Sequence, residues 1–308
     1  MSTALLFPGQ GSQRVGMGQR LAAAHEAARR ALAEADEALG LPLTRVCFEG
    51  PESELVRTEH AQPAILAVSV ATWRALAAEV DVRPAWLAGH SLGEYSALVV
   101  AGALEFGDAL RLVRTRGRLM QAAVPVGVGA MAAIVGLAPG EVQACCEAAG
   151  AGEVVTPANF NGAGQIVVAG HRGAVERAAQ AARAAGARVV ELPVSAPFHC
   201  PLMAPAAAGL AAALASVPIG ALTVPVVTNV EAAPNDDPSR VRDLLVAQVT
   251  APVRWEESML FLQRAGCRRV IEVGPGQVLS KLVQRMKLGI EALAAGEGER
   301  WSDLGGTG

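Results

Sequence analysis

The stretch Gly89-His90-Ser91-Leu92-Gly93 places a serine between two glycines, with the spacing of a nucleophile elbow, a tight strand-to-helix turn that lifts a serine oxygen above a sheet. Side chains at the two glycine positions would collide in such a turn. A serine there sits at the positive end of the following helix, where backbone N–H groups can hold an oxyanion. Serine is a weak nucleophile at neutral pH and needs a base, so the five histidines are the candidates. His25 lies in a polar helical stretch, His60 at a helix start and His171 after a strand; all three read as surface residues. His90 adjoins the serine in the turn, so its ring is expected to point away from the hydroxyl. His199, in the Pro-rich loop VSAPFHCP, is the expected base.

A serine and histidine pair needs a group to orient the imidazole. The only aspartate between Ser91 and His199 is Asp108, one turn past the nucleophile helix. Glu105, Glu141, Glu147, Glu153, Glu176 and Glu191 fall on predicted helix faces or in a separate subdomain. The alternative is a dyad whose imidazole N–H bonds to a backbone or side-chain carbonyl. Arg116 belongs to RLVRTRGRLMQ, where arginines at helical spacing read, taken alone, as a solvated face. GVGAMA from Gly127 imitates a dinucleotide fingerprint, but a strand follows it where that motif requires a helix.

The elements that must position these residues follow from periodicity. Thr3 to Phe7 (TALLF) reads as a buried strand broken at Pro8-Gly9 and followed by the polar loop GQGSQ. Leu21 to Leu39 and Pro63 to Glu79 have helical spacing. AWLA reads as a short central strand entering the Gly89 turn, and LGEYSALVVAGAL as the helix leaving it. This order predicts a parallel α/β sheet covered by helices on both faces. Residues 126–194 alternate as β-α-β-β-α-β, the ferredoxin-like arrangement, and are expected to form an inserted small subdomain. The large domain is then 1–125 and 195–293. It resumes with helices near Pro201 to Ser216, Ser239 to Val249 and Trp255 to Ala265, strands at VPVVTN and RVIEVG, and a helix from Gln277. Residues 294–308 have little apolar periodicity and are expected to be disordered.

Composition excludes several classes. At 308 residues the chain is long for one domain and can bury a substantial core. With 26 Lys plus Arg against 29 Asp plus Glu, and no long basic block, it lacks the electrostatic footprint of a nucleic-acid binder. No apolar run of roughly 18 residues escapes interruption, so no membrane span is expected. The N-terminus MSTALLFPGQ has neither a basic region nor a cleavage site, which makes the expected location cytoplasmic. Five cysteines without CxxC spacing argue against a disulfide framework or a zinc site. No metal or cofactor is expected.

Taken together, seven motifs in register resemble the malonyl-CoA:acyl-carrier-protein transacylase family over about Thr3 to Arg285. They are FPGQGSQ (Phe7 to Gln13), GHSLGE (Gly89 to Glu94), RGRLMQ (Arg116 to Gln121), ANFNG (Ala158 to Gly162), APFHC (Ala196 to Cys200), QVTAPVRW (Gln248 to Trp255) and EVGPG (Glu272 to Gly276). The resemblance implies an α/β-hydrolase-like large domain with a ferredoxin-like insertion. It implies Ser91 as acyl-accepting nucleophile, His199 as base, and Gln248 as source of the carbonyl that orients His199. It further implies the backbone N–H groups of Gln10 and Leu92 as oxyanion hole, and Arg116 as the grip on the substrate carboxylate, with Asn159, Met120 and Phe198 lining the pocket. The implied partners are malonyl-CoA and a phosphopantetheine-bearing acyl carrier protein, with the chain acting as a monomer. Phe198 beside the histidine favours malonyl over α-branched donors, and Lys281, Arg285 and Lys287 are candidates for docking an acidic carrier. Two other readings use the same residues: a serine hydrolase or thioesterase with water as acceptor, and a non-catalytic docking module that keeps the fold.

Overall fold

The computed structural model describes residues 2–194, 196–296, 298, 301 and 304. Among the described residues ten strands form two sheets: β1 (Thr3–Phe7), β2 (Trp86–Gly89), β3 (Gly129–Val135), β4 (Val155–Gly162), β5 (Gln165–His171), β6 (Arg188–Glu191), β7 (Val226–Val227), β8 (Pro234–Asn235), β9 (Arg269–Glu272) and β10 (Glu291–Ala294). The larger sheet has the order β10-β9-β1-β2-β7-β8. Its pairings are parallel except at β8, which runs antiparallel to β7 at one edge. Ala4, Leu5, Leu6 and Phe7 are fully buried because β1 is central and covered on both faces, as continuous apolar parallel strands require.

The smaller sheet, order β4-β5-β3-β6, is antiparallel. With the helices Pro139–Gly150 and Arg172–Ala184 between its strands, it has the ferredoxin-like βαββαβ topology. It has its own apolar cluster, centred on Ala132, Ile134, Val142, Val168, Val175 and Ala178. Its edge strand β4 meets the rest of the chain at Val253, whose N–H donates to Ala158 and whose carbonyl accepts from Phe160, both at 2.9 Å.

The architecture is the α/β class expected. Several elements differ from the periodicity reading. The segment 21–39 is two helices, Gln19–Ala24 and Glu26–Leu39, because His25 adopts an extended backbone (φ −126°). The helix expected from Pro63 begins at Thr58 and carries Pro63 near its N-terminus. β8 and β10 were not anticipated.

The expectation of disorder from 294 is corrected at the described residues. Ala294 closes β10, Trp301 is buried, and its Nε1 donates to the Ala295 carbonyl at 2.9 Å. The remaining tail positions, 297, 299, 300, 302, 303 and 305–308, lie outside the described residues. Nor is His25 a surface residue. It is buried, stacked on Trp301 at 4.5 Å between ring centres, and bonded to Glu79 and to the Gly298 carbonyl. Among the described residues, no helix is long and apolar enough to cross a membrane.

Candidate active site

The site assembles at the carboxyl ends of adjacent parallel strands, where open α/β sheets gather their functional loops. β1 delivers the Pro8 to Gln13 loop, β2 the Gly89 to Gly93 turn, and β7 leads to Thr228 and Asn229. The turn is as tight as its glycines required. A Cβ at Gly89 would overlap the Gly93 carbonyl, and one at Gly93 would overlap the Phe7 carbonyl of the neighbouring strand. Ser91 sits at φ 51°, a left-handed conformation that few non-glycine residues adopt. Its N–H is held by the Asn229 Oδ1 at 2.7 Å, while the Asn229 Nδ2 donates to the Gly89 carbonyl at 2.6 Å.

Ser91 Oγ lies 2.7 Å from His199 Nε2, although the two residues are 108 positions apart. His199 is also left-handed, at φ 59°, and buried. Its Nδ1 lies 2.9 Å from the backbone carbonyl of Gln248. Nδ1 therefore carries the proton, and Nε2 is left to accept from the serine. No carboxylate is needed for that tautomer. Burial, reinforced by the nearby Arg116 charge, pushes the imidazole down to about 3 and keeps it neutral.

Arg116, on the helix Phe106–Ala122, is 1% exposed. The solvated-face reading of its arginine run is thus wrong at this position: Arg116 shares the buried face with Ala109, Leu112, Val113 and Met120. Its Nη2 donates to Ser91 Oγ at 3.2 Å and to Gln248 Oε1 at 2.9 Å, and its Nη1 to Gln62 Oε1 at 2.9 Å. The guanidinium lies over the Tyr95 ring, 5.4 Å from its centre.

The other expected residues distribute as follows. Leu92 opens the helix Gly93–Val100, directly after the serine. Gln10 lines a cavity of about 650 Å³ together with Thr58, Glu59, Arg118, Gln121 and Pro193. Among the described residues, neither the Gln10 nor the Leu92 backbone N–H makes a turn or cap bond. Met120 and Phe198 are buried in the main core, Met120 beneath Gln62, whose Nε2 approaches its sulfur at 3.8 Å. Asn159, 7% exposed, sits on β4 at the bridge to Val253. His90 points away from the serine, pairing with Asn161 Oδ1 at 2.8 Å.

Three residues of the site were missed: Gln62, Asn229 and Glu94. Glu94 is 2% exposed, and its Oε2 accepts from Gln248 Nε2 at 2.8 Å and from the Asn229 N–H at 3.0 Å. Burial raises its carboxyl to about 7 against the pull of those hydrogen bonds and of Arg116. The signal was available in the last letter of GHSLGE. Its role was not, because a carboxylate that holds an amide and a backbone N–H, not the histidine, leaves no signature in residue spacing.

A family model described as "Acyl transferase domain" matches residues 4–292. The malonyl CoA-acyl carrier protein transacylases of Salmonella typhimurium and Escherichia coli are each 49% identical over 295 residues, covering 96% of both chains. The chain belongs to the malonyl-CoA:acyl-carrier-protein transacylase family. It is an acyltransferase. An acyl carrier protein S-malonyltransferase from Vibrio cholerae superposes with a TM-score of 0.93 at 47% identity, covering 96% of each chain. A malonyl-transacylase solved in complex with a type II polyketide synthase acyl-carrier protein gives 0.92 at 45%, covering 96% of this chain and 94% of the other.

Proposed function

We propose that this family member transfers malonyl groups from malonyl-CoA to the phosphopantetheine thiol of an acyl carrier protein, by a ping-pong route through an ester on Ser91. His199 Nε2 takes the hydroxyl proton as Ser91 Oγ attacks the thioester carbonyl. The oxyanion is met by the backbone N–H groups of Gln10 and Leu92, which protein turns and caps leave free. Collapse breaks the carbon–sulfur bond, and His199 returns the proton to the departing CoA thiolate. The carrier thiol then gives its proton to His199 and attacks the ester carbonyl. The second collapse restores the Ser91 hydroxyl and leaves a malonyl thioester on the carrier.

The observation that carries this reading is a buried guanidinium reaching the serine oxygen at 3.2 Å. A hydrolase acting on uncharged acyl groups has no use for a cation there. An acyl group bearing a free carboxylate does, because a two-pronged charged pair fixes it in the low-dielectric pocket. Phe198, buried next to the base, limits room at the α-carbon and supports malonyl over methylmalonyl. The malonyl thioester would serve as extender unit in fatty acid or polyketide synthesis.

The test follows malonyl-CoA consumed with and without holo-carrier. Malonyl-carrier as the dominant product, with little free malonate, is the expected result. Malonate release matching CoA release in the presence of carrier would convert the reading to a thioesterase.

A further inference from the structure

Glu94 lies beneath the nucleophile and has no part in the transfer chemistry above. Its carboxylate bonds to the Gln248 amide at 2.8 Å, and that amide accepts from Arg116 at 2.9 Å. Carboxylate, amide and guanidinium thus form one buried line. A second arm returns to the nucleophile: Glu94 holds the Asn229 N–H, and the Asn229 Oδ1 holds the Ser91 N–H. The acyl carboxylate of a bound donor brings a second anion to the same cation.

We propose that Glu94 is a selectivity-setting positioning residue: ionised, it is the standing counter-charge of Arg116, and protonated, it releases Arg116 to the acyl carboxylate. The inference rests on the reading of Arg116 given above. It predicts that preference for carboxylated donors is set by one buried proton. Burial, which brings this carboxyl to about 7, makes the exchange accessible near neutrality. The charged and titratable groups facing it are Tyr95 on its own helix, Arg116 on the helix Phe106–Ala122, His199 and His90. Arg116 stays cationic, since burial lowers it only from a very high starting point. His199 at about 3 and His90, also lowered by burial, stay neutral, as does Tyr95, pushed up to about 12. Between about pH 6 and about pH 8.5, Glu94 is therefore the group of this cluster that changes charge.

Below the midpoint Glu94 is neutral and Arg116 is uncompensated, which favours the anionic acyl group. Above it Glu94 is an anion that compensates Arg116 and repels the acyl carboxylate. The experiment measures acylation of the full chain by malonyl-CoA and by acetyl-CoA in rapid-quench mode and takes the ratio of kcat/KM values across this range. Both donors share the CoA group, and the malonyl carboxylate is ionised throughout, so the ratio isolates the acyl charge. The wild-type ratio is expected to fall about tenfold from the acid to the alkaline end, the scale of one partly buried charge interaction. Glu94→Gln keeps an oxygen acceptor for both N–H donors but cannot ionise, so its ratio should be high and flat. A wild-type ratio independent of pH overturns the proposal, even if the variant fails to fold. So does a Glu94→Gln ratio that keeps the wild-type slope. Absence of acyl-Ser91 with either donor would instead overturn the underlying reading of the site.

Discussion

In the proposed reaction, chemistry falls to His199 and specificity to Arg116. If Arg116 grips the acyl carboxylate, Arg116→Ala should lower kcat/KM for malonyl-CoA by about 100-fold or more while changing acetyl transfer only a few-fold, a difference that removal of a charge-assisted pair produces. Equal losses for both donors would remove that role. In the proposed reaction His199 is a neutral base, and protonation would abolish that role. Because burial holds it near 3, acylation by acetyl-CoA should stay close to its plateau down to about pH 5, whereas an unperturbed imidazole would lose half its activity near pH 6.5. Stopped-flow release of CoA at constant ionic strength measures this, and a half-loss near the ordinary imidazole value would contradict it. The same two residues show how far residue types alone can go. The nearness of His199 to Ser91 was legible by elimination among the histidines, from its Pro-rich loop at the return from the small sheet. Arg116 was legible only through its motif, because whether a helical arginine faces solvent depends on what packs over it.

At the scale of elements, the elbow is the most local feature and was the most legible. Two glycines flanking a serine specify a turn whose geometry depends on five consecutive residues. Gly93→Ala would force a methyl group into the Phe7 carbonyl of β1, and it should destabilise the fold by about 3 kcal/mol or more, the cost of strain at a close backbone approach. Urea denaturation monitored by circular dichroism would show it; a loss under about 0.5 kcal/mol, typical of unconstrained surface sites, would refute the close-packed elbow. β10 was illegible for the opposite reason. EALA has neither strand propensity nor alternation, and it becomes a strand because its backbone pairs with β9 from Arg269 to Glu272. The break at His25 is similarly tertiary: its ring is drawn between Trp301 and Glu79. No window of local sequence contains that contact.

For the whole molecule, the two-sheet plan was readable because periodicity changes sharply along the chain. Residues 126–194 alternate strand and helix with their own apolar cluster, while the flanking segments supply the parallel sheet. What the large sheet contributes is placement: loops from β1, β2 and β7 meet at one edge, packing Gly9 against the His90 carbonyl and holding Ser91 on Asn229. In the proposed transfer the carrier has to reach that edge. Lys281, Arg285 and Lys287 are exposed on and just after the helix Val278–Met286 and are proposed to meet an acidic carrier. Reversing all three to glutamate should raise KM for the carrier several-fold while leaving acylation by malonyl-CoA unchanged. Unaltered carrier kinetics at low ionic strength would place docking elsewhere.

In the proposed reaction Ser91, activated by His199, carries the acyl group between two thiols. Intact-mass spectrometry of the chain mixed with malonyl-CoA, followed by addition of holo-carrier, tests it in one sequence. One malonyl adduct is expected, absent in Ser91→Ala, that disappears as the carrier gains the same mass. An unmodified chain beside a fully malonylated carrier, or an adduct that survives in Ser91→Ala, would contradict it.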